Sequence, residues 1–267
     1  MSERLLAVIT GASSGIGAAF ARKLAARGYD LLLISRREER LRSLADEIAG
    51  LYHVAARPMA ADLTSDADCE RVAETVRGAN NLGLLVNNAG FGSLGYFWAT
   101  DIAGQDRMHR LHVLATLRLT HAALVNLLPK RSGGIINVSS LAAFGQTPQS
   151  VSYSATKSWM NSFTEGLALE LAANDSPVKV QALCPGFTLT EFHDTLGMER
   201  GPIPRPLWMT ADFVVEQSLR SFDRGKLFVV PGWRYKLLLG LIKVLPASLM
   251  RQASVAGVRR FRKRRDK

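Results

Sequence analysis

The chain has 267 residues and a mass of 29.2 kDa. Apolar residues at 47% and charged residues at 21% exclude a disordered chain, and the length suits one large α/β domain. The net charge of +11 is concentrated at one end: residues 234–267 hold eleven basic residues and one acid, whereas residues 1–233 hold 23 basic and 22 acidic residues. Any argument about acidic partners therefore starts from the tail and not from the body. Cys69 and Cys184 are too few for a disulfide framework and point to a reducing, cytoplasmic setting. The start, MSERLLAVITGAS, has no long apolar run before a cleavage site, so no signal peptide is expected. Near the C-terminus the longest apolar run is LLLGLI, far short of the about 20 residues that a spanning helix needs.

Along the chain, short apolar runs alternate with helical patterns. LLAVIT (5–10) reads as a first strand ending in a Gly-rich turn, after which Ile16, Phe20 and Leu24 recur at helical spacing until Gly28. DLLLIS (30–35) is a second buried strand, and Leu41, Leu44 and Ile48 mark the next helix. A weaker strand around 54–61 is pushed to a sheet edge by Pro58. Ser65 with Asp68 resembles a capping box opening a helix to about Arg77. LGLLVNNAG is a fourth strand, a long helix follows over about 104–127, and GIINVSS is a fifth strand. A helix over 151–173, the strand VKVQALCPG, a helix capped by Thr210 and running through Phe222, and a seventh strand in KLFVVPG complete the body. The strands lack alternation, so both faces are buried. This predicts an α/β fold with a doubly wound, seven-stranded parallel sheet and helices on each side. Residues 1–233 are expected to form this body, and residues 234–267 a basic, amphipathic extension.

TGASSGIG (10–17) sits between the first strand and the first helix. Gly11 permits a tight turn, Gly15 lets backbone approach a phosphate, and Gly17 allows close helix–strand packing; Ser13, Ser14 and Ile16 complete the turn. The helix start offers unpaired N–H groups and a positive dipole end, a place for a pyrophosphate. At the end of the second strand an NAD site would carry an acid for the ribose 2′-hydroxyl. Here Ser35 is followed by Arg36 and Arg37, whose guanidinium groups suit a 2′-phosphate, so NADP(H) is preferred. The competing reading is that residues 36–40 are a solvated helix start.

With these motifs in order, the sequence resembles the short-chain dehydrogenase/reductase family over residues 4–232. The matching segments are TGASSGIG, Asp62-Leu63, NNAG (87–90), NVSS (137–140), YSATK (153–157) and PGFTLT (185–190). The resemblance implies strand order 3-2-1-4-5-6-7, adenine contacts from Asp62 and Leu63, and a ribose side lined by Asn88, Ala89 and Gly90. It places Pro185, Gly186, Thr188 and Thr190 at the nicotinamide, and a mobile substrate lid over about 187–210. It also implies a homodimer or homotetramer.

Tyr153 and Lys157 are four residues apart in a predicted helix, so they share one face. A phenol near pKa ~10 is a poor base at neutral pH, and an ammonium beside it should lower that value. Tyr153 is therefore assigned as general acid/base and Lys157 as its tuning and ribose-holding partner. Ser140, thirteen residues before Tyr153, would hydrogen-bond the reacting carbonyl oxygen, with Ser139 as its inert neighbour. One position departs from the family: 28 residues before Ser140, where an Asn usually holds a water linking the Lys to solvent, stands His112. Either His112 replaces that Asn, or it is satisfied by a backbone carbonyl at a helix kink. His109, His121 and His193 have no ligand-like partners, and no metal site is expected.

Aromatic residues in FGSLGYFW (91–98), together with Phe187, Phe192, Met198, Pro202, Pro204, Pro206, Trp208 and Met209, favour an apolar or bulky carbonyl substrate over mere lid packing. The expected function is an NADP(H)-dependent oxidoreductase interconverting a ketone or aldehyde and an alcohol. The alternative is a non-catalytic, cofactor-binding sensor or scaffold of the same fold. The tail offers three readings: a helical pair, broken at Pro246, that covers the pocket, favoured for 234–255; peripheral contact with an anionic membrane; and loose polyanion binding, favoured for 256–267. Specific nucleic-acid binding is not expected of a near-neutral body.

Overall fold

In the computed structural model, residues 4–192, 203–246, 248–249, 251–252 and 254–256 are described. His193, Met198, Pro202 and the charged run 257–267 lie outside them. Seven strands form one parallel sheet: β1 (Leu6–Thr10), β2 (Asp30–Ser35), β3 (Ala56–Ala60), β4 (Leu82–Asn87), β5 (Gly134–Val138), β6 (Lys179–Leu183) and β7 (Phe228–Val229). Their order is 3-2-1-4-5-6-7, as expected. β1, β4 and β5 are buried at every residue, which is why they read as unbroken apolar runs. β3 pairs only with β2, and Pro58, which has no N–H to donate, is tolerated on that edge.

The helices lie on both faces. Ala7, Ile9, Leu31, Leu33 and Val86 point to the side covered by α1 (Gly15–Ala25), α2 (Glu38–Tyr52) and α7 (Ala211–Asp223). Their neighbours Leu6, Val8, Leu32, Ile34 and Leu85 point to the side covered by α3 (Asp66–Arg77), α5 (Thr116–Lys130) and α6 (Val151–Ala173). The two-residue alternation of a strand thus feeds two separate cores. Thr210 caps α7 by accepting from the Phe213 N–H at 3.2 Å.

Several local expectations change. The first helix ends at Ala25, and Gly28, at φ +83°, lies in the turn beyond it. Ser65 precedes α3 but its side chain caps nothing; Asp68 turns back to accept from the Asp62 N–H at 2.8 Å. The capping-box carboxylate therefore organises the loop after β3 rather than the helix start. The long helix is interrupted: α4 (Ile102–His109) passes through a π-helical turn, Arg110–Ala115, before α5. The run Ile102–Lys130 is long and apolar enough by length and composition to cross a membrane, yet Leu119, Ala122, Ala123 and Leu127 are buried against the sheet. After β6, the two-residue strands Thr188–Leu189 and Met209–Thr210 pair in parallel. Helix α8 (Trp233–Val244) follows β7, and the described residues within 248–256 are helical as well.

Candidate active site

The candidate residues gather at the carboxyl ends of the strands, where an open parallel sheet presents its crevice. After β1, Gly11 and Gly15 adopt φ of +65° and +56°, and a side chain on Gly17 would run into the Gly11 carbonyl. The first turn of α1 carries no acid, and Ser14 in the N-cap position makes no cap bond. Its backbone N–H groups thus remain available to an anion. The turn is held from β4: Asn88 donates from Nδ2 to the Thr10 and Gly11 carbonyls at 2.8 and 3.2 Å. The Thr10 hydroxyl accepts from the Asn88 and Ala89 N–H groups, both at 2.9 Å. These residues fit a pyrophosphate-bearing dinucleotide.

Of the two arginines after β2, only Arg37 is tied into the turn. It donates to the Ser13 and Ser14 hydroxyls at 3.0 and 2.6 Å and to Glu191 at 2.6 Å. Arg40 holds the other Glu191 oxygen at 2.6 Å. The two guanidinium groups keep the Glu191 carboxyl below its ordinary pKa. Arg36 is exposed. After β3, Asp62 accepts from the Thr64 N–H and hydroxyl at 3.0 and 2.8 Å, and Leu63 is buried.

Ser140 follows β5, and Tyr153 and Lys157 lie one turn apart on α6. The structure brings the three together. Tyr153 lies beside Ser140, which acts to lower the phenol pKa, and the Lys157 ammonium lies 5.9 Å from the centre of the Tyr153 ring. Ser140 also accepts from the Ala142 N–H at 3.1 Å. Ser139 donates to the Lys157 carbonyl at 3.1 Å and so fastens α6 to β5. The expected lowering of the phenol pKa by Lys157 is not what this structure holds. Burial raises the Tyr153 pKa, the neighbouring Ser140 side chain opposes that, and the ammonium instead donates to the Val138 carbonyl at 2.8 Å. Burial pushes Lys157 itself down to about 8. Desolvation thus moves the two groups apart, the phenol upward and the ammonium downward, and no phenolate–ammonium pair forms.

His112 sits in the π-helical turn and is fully buried. Its Nε2 accepts from the Phe91 N–H at 3.2 Å, so Nδ1 carries the proton and donates to the Thr156 hydroxyl at 2.9 Å. Thr156 in turn donates to the Tyr153 carbonyl at 2.9 Å. Neither earlier reading holds in full. The ring is satisfied by an N–H and a hydroxyl rather than a backbone carbonyl, and no ring nitrogen is left to hold a relay water. Burial, then the Lys157 charge, then His109 drive its pKa well below the ordinary value, so the imidazole is neutral.

Pro185, Gly186, Thr188 and Thr190 follow β6. The Thr190 side chain lies against Gly15, so this segment rests on the Gly-rich turn. Phe192 approaches the Tyr153 ring to 5.8 Å, Phe187 the Trp208 ring to 5.4 Å, and Tyr96 stacks on Trp98 at 4.9 Å. Several contributors escaped the sequence reading. Tyr235 of α8 accepts from the Phe187 N–H at 3.0 Å and donates to the Leu207 carbonyl at 2.6 Å. Its ring lies directly over Gly186, where no side chain would fit. Asn87 and Asn137 pair between β4 and β5 at 2.9 Å and bond Thr120 and Thr164 on the flanking helices. Both lie in segments that carry the resemblance, NNAG and NVSS, and the structure adds that the two asparagines meet each other. Among the described residues no cluster suits a metal ion.

Comparison with known proteins agrees with this geometry. The family model for short chain dehydrogenases matches residues 5–200. A very-long-chain 3-oxoacyl-CoA reductase of Anas platyrhynchos is 33% identical over 238 residues, 87% of this chain and 75% of that protein. A short-chain dehydrogenase from Sphingobium yanoikuyae, solved in complex with NADPH, superposes with a TM-score of 0.82 at 34% identity, over 91% of this chain and 96% of that one. A bulky-bulky ketone specific alcohol dehydrogenase from Comamonas testosteroni superposes with a TM-score of 0.78 at 30% identity, covering 91% and 95%.

Proposed function

Given that the chain belongs to the short-chain dehydrogenase/reductase family of oxidoreductases, we propose that it reduces a bulky, apolar ketone or aldehyde to an alcohol, or runs the reverse, with NADP(H). The observation that carries this reading is Tyr153, set beside Ser140 and with its ring centre 5.9 Å from the Lys157 ammonium, near the Gly-rich cradle. When bound, the nicotinamide dinucleotide supplies or accepts the hydride. In the reducing direction Tyr153 gives its proton to the carbonyl oxygen as charge develops there. Ser140 donates a hydrogen bond to the same oxygen. Lys157 holds the ribose hydroxyls and returns a positive charge to the site. Gly11, Ser13, Ser14, Gly15, Ile16 and Gly17 cradle the pyrophosphate; Asp62 and Leu63 face the adenine; Asn88, Ala89 and Gly90 face the adenosine ribose. Thr188 and Thr190, with Pro185 and Gly186, face the nicotinamide.

The preference for NADP(H) is supported by Arg37, which reaches the Ser13 and Ser14 hydroxyls of the turn, and by the NADPH complex of the Sphingobium protein. A bulky apolar substrate is supported by Phe192 beside Tyr153, by the exposed Trp98, and by the Comamonas alcohol dehydrogenase. The two buried free cysteines support a cytoplasmic setting. Exposed Leu117, Val125 and Leu128 on α5 support association of copies. The sealed imidazole of His112 favours a second reading, a cofactor-bound sensor, because the usual water route to Lys157 lacks its anchor.

NADPH oxidation with a panel of bulky ketones separates the two. The enzyme reading expects turnover that falls about 10²–10⁴-fold in Tyr153→Phe while NADPH binding persists. Tight NADPH binding without turnover of any ketone or aldehyde would favour the sensor.

A further inference from the structure

Helix α8 is fixed to the body by one face and turns a second apolar face outward. Tyr235, 3% exposed, and Leu239 pack on Ala182, Cys184 and Val230. On the far side, Trp233, Leu237, Leu241 and Val244 are exposed by 65%, 58%, 56% and 84%. These positions lie four, four and three residues apart, which is one stripe of a helix. Leu238 and Leu245 widen it. Arg234 and Lys236 are exposed on the same helix, and Arg234 stacks over the Trp233 ring at 4.9 Å. The segment 234–267, which opens with this helix, holds eleven basic residues and one acid.

We propose that the outer face of α8 docks on the surface of an anionic lipid bilayer. Trp233, Leu237, Leu241 and Val244 enter the interface between headgroups and acyl chains, while Arg234, Lys236 and the basic run meet the lipid phosphates. The charge selects this occupant over a second copy of the chain. Two copies meeting through α8 would bring two strongly positive segments together, and the rest of each chain, with 23 basic and 22 acidic residues, offers no acidic excess to offset them. A nucleic acid would satisfy the charges but gives the apolar stripe nothing to bury against. The position has a consequence for the site. Tyr235 on the opposite face holds Phe187 and Leu207, so docking α8 sets the segments flanking the candidate substrate opening beside the bilayer.

The test is co-sedimentation of the full chain with vesicles of phosphatidylcholine alone and of phosphatidylcholine mixed with phosphatidylglycerol, at low and high salt. Emission of Trp233 is read as the difference between wild type and Trp233→Phe. The expected result is at least about tenfold stronger partitioning to the anionic vesicles, weakened by salt, with a blue shift assigned to Trp233. The Leu237→Ser/Leu241→Ser variant, altered only on the exposed face, should lose at least about tenfold in partitioning while its thermal unfolding and NADPH binding match wild type. Equal binding to both vesicles overturns the proposal. So does unchanged binding of the double variant, which would leave only a polycation attracted to charge. A concentration-dependent dimer abolished by the same variant, without vesicle binding, would assign the stripe to a second copy. Capture by a polynucleotide alone would assign the segment to nucleic acid.

Discussion

At position 112 a fully enclosed imidazole joins three segments: the Phe91 amide after β4, the π-helical turn that carries the ring, and the Thr156 hydroxyl on α6. Through Thr156 it reaches the carbonyl of Tyr153 itself. Its chemistry is that of a clamp, since a neutral ring with both nitrogens engaged neither gives nor takes a proton near neutral pH. The burden of that neutrality falls on stability. The folded-state pKa is depressed, so the unfolded chain binds more protons below about pH 6.5, and stability present above that pH is lost as pH falls. The slope should approach about 1.4 kcal/mol per pH unit between pH 6.5 and 5. In His112→Asn that slope should flatten, measured by urea unfolding across this range, with turnover kept or raised. A His112→Asn protein as acid-sensitive as wild type would place the titration elsewhere.

The presence of a special residue at 112 was legible in the sequence, because it breaks a motif that is otherwise complete. Its role was not legible, because hydrogen-bond partners 21 and 44 residues away are set by packing. The same holds for Tyr153 and Lys157. Their four-residue spacing foretold a shared face, but the sign of the phenol shift depends on desolvation and on where the ammonium points. Val138, not Tyr153, receives that ammonium.

Among the elements, α8 changes most between sequence and structure. Its run of leucines reads as part of a helical cover over the pocket, and in the structure one tyrosine from it bonds the backbone of two segments, at Phe187 and Leu207. Tyr235→Phe keeps the ring over Gly186 and removes only the hydroxyl. The Phe187 N–H and Leu207 carbonyl then lose the bonds to the phenol, at a cost of about 0.5–1.5 kcal/mol for each hydrogen bond between part-buried groups. Because the contacts lie in the lid, KM for the ketone should rise by more than kcat falls, whereas Kd for NADPH should stay within about twofold, a shift within the scatter of one neutral hydrogen bond. Equal losses in kcat and KM would move Tyr235 from the lid to the reacting centre. The π-helical turn was hidden for a related reason. The apolar spacing of 104–127 is compatible with an unbroken helix, and the extra residue is tolerated where His112 must reach inward from it.

Across the whole molecule, three strands separate β2 from β6 in the sheet, and the segments that follow them still meet. Glu191 bridges Arg37 and Arg40 from 154 and 151 residues away. On the proposed NADP(H) reading the same Arg37 receives the 2′-phosphate, and the carboxylate and the phosphate then compete for one cation. Glu191→Gln should therefore tighten NADPH about 2- to 5-fold, the range of an exposed ion pair, and leave NADH unchanged. Calorimetric titration of both cofactors checks it; equal tightening of both would mean that Glu191 acts on the pyrophosphate or the lid, not on the 2′-phosphate.

The amino-acid order by itself determined the seven strands, the Gly-rich turn and the shared face of Tyr153 and Lys157. Each of these is written in spacings of a few residues, in which side-chain periodicity and backbone freedom act locally, whereas the order of the strands across the sheet and the company of Ser140 came through the resemblance to a family. Only the tertiary structure decided that Arg37 holds Glu191, that Tyr235 lies over Gly186, that Asp68 serves Asp62 and that His112 is sealed and neutral. Those outcomes depend on burial and on partners distant along the chain, and desolvation is a property of the packed molecule that no short stretch of residues carries.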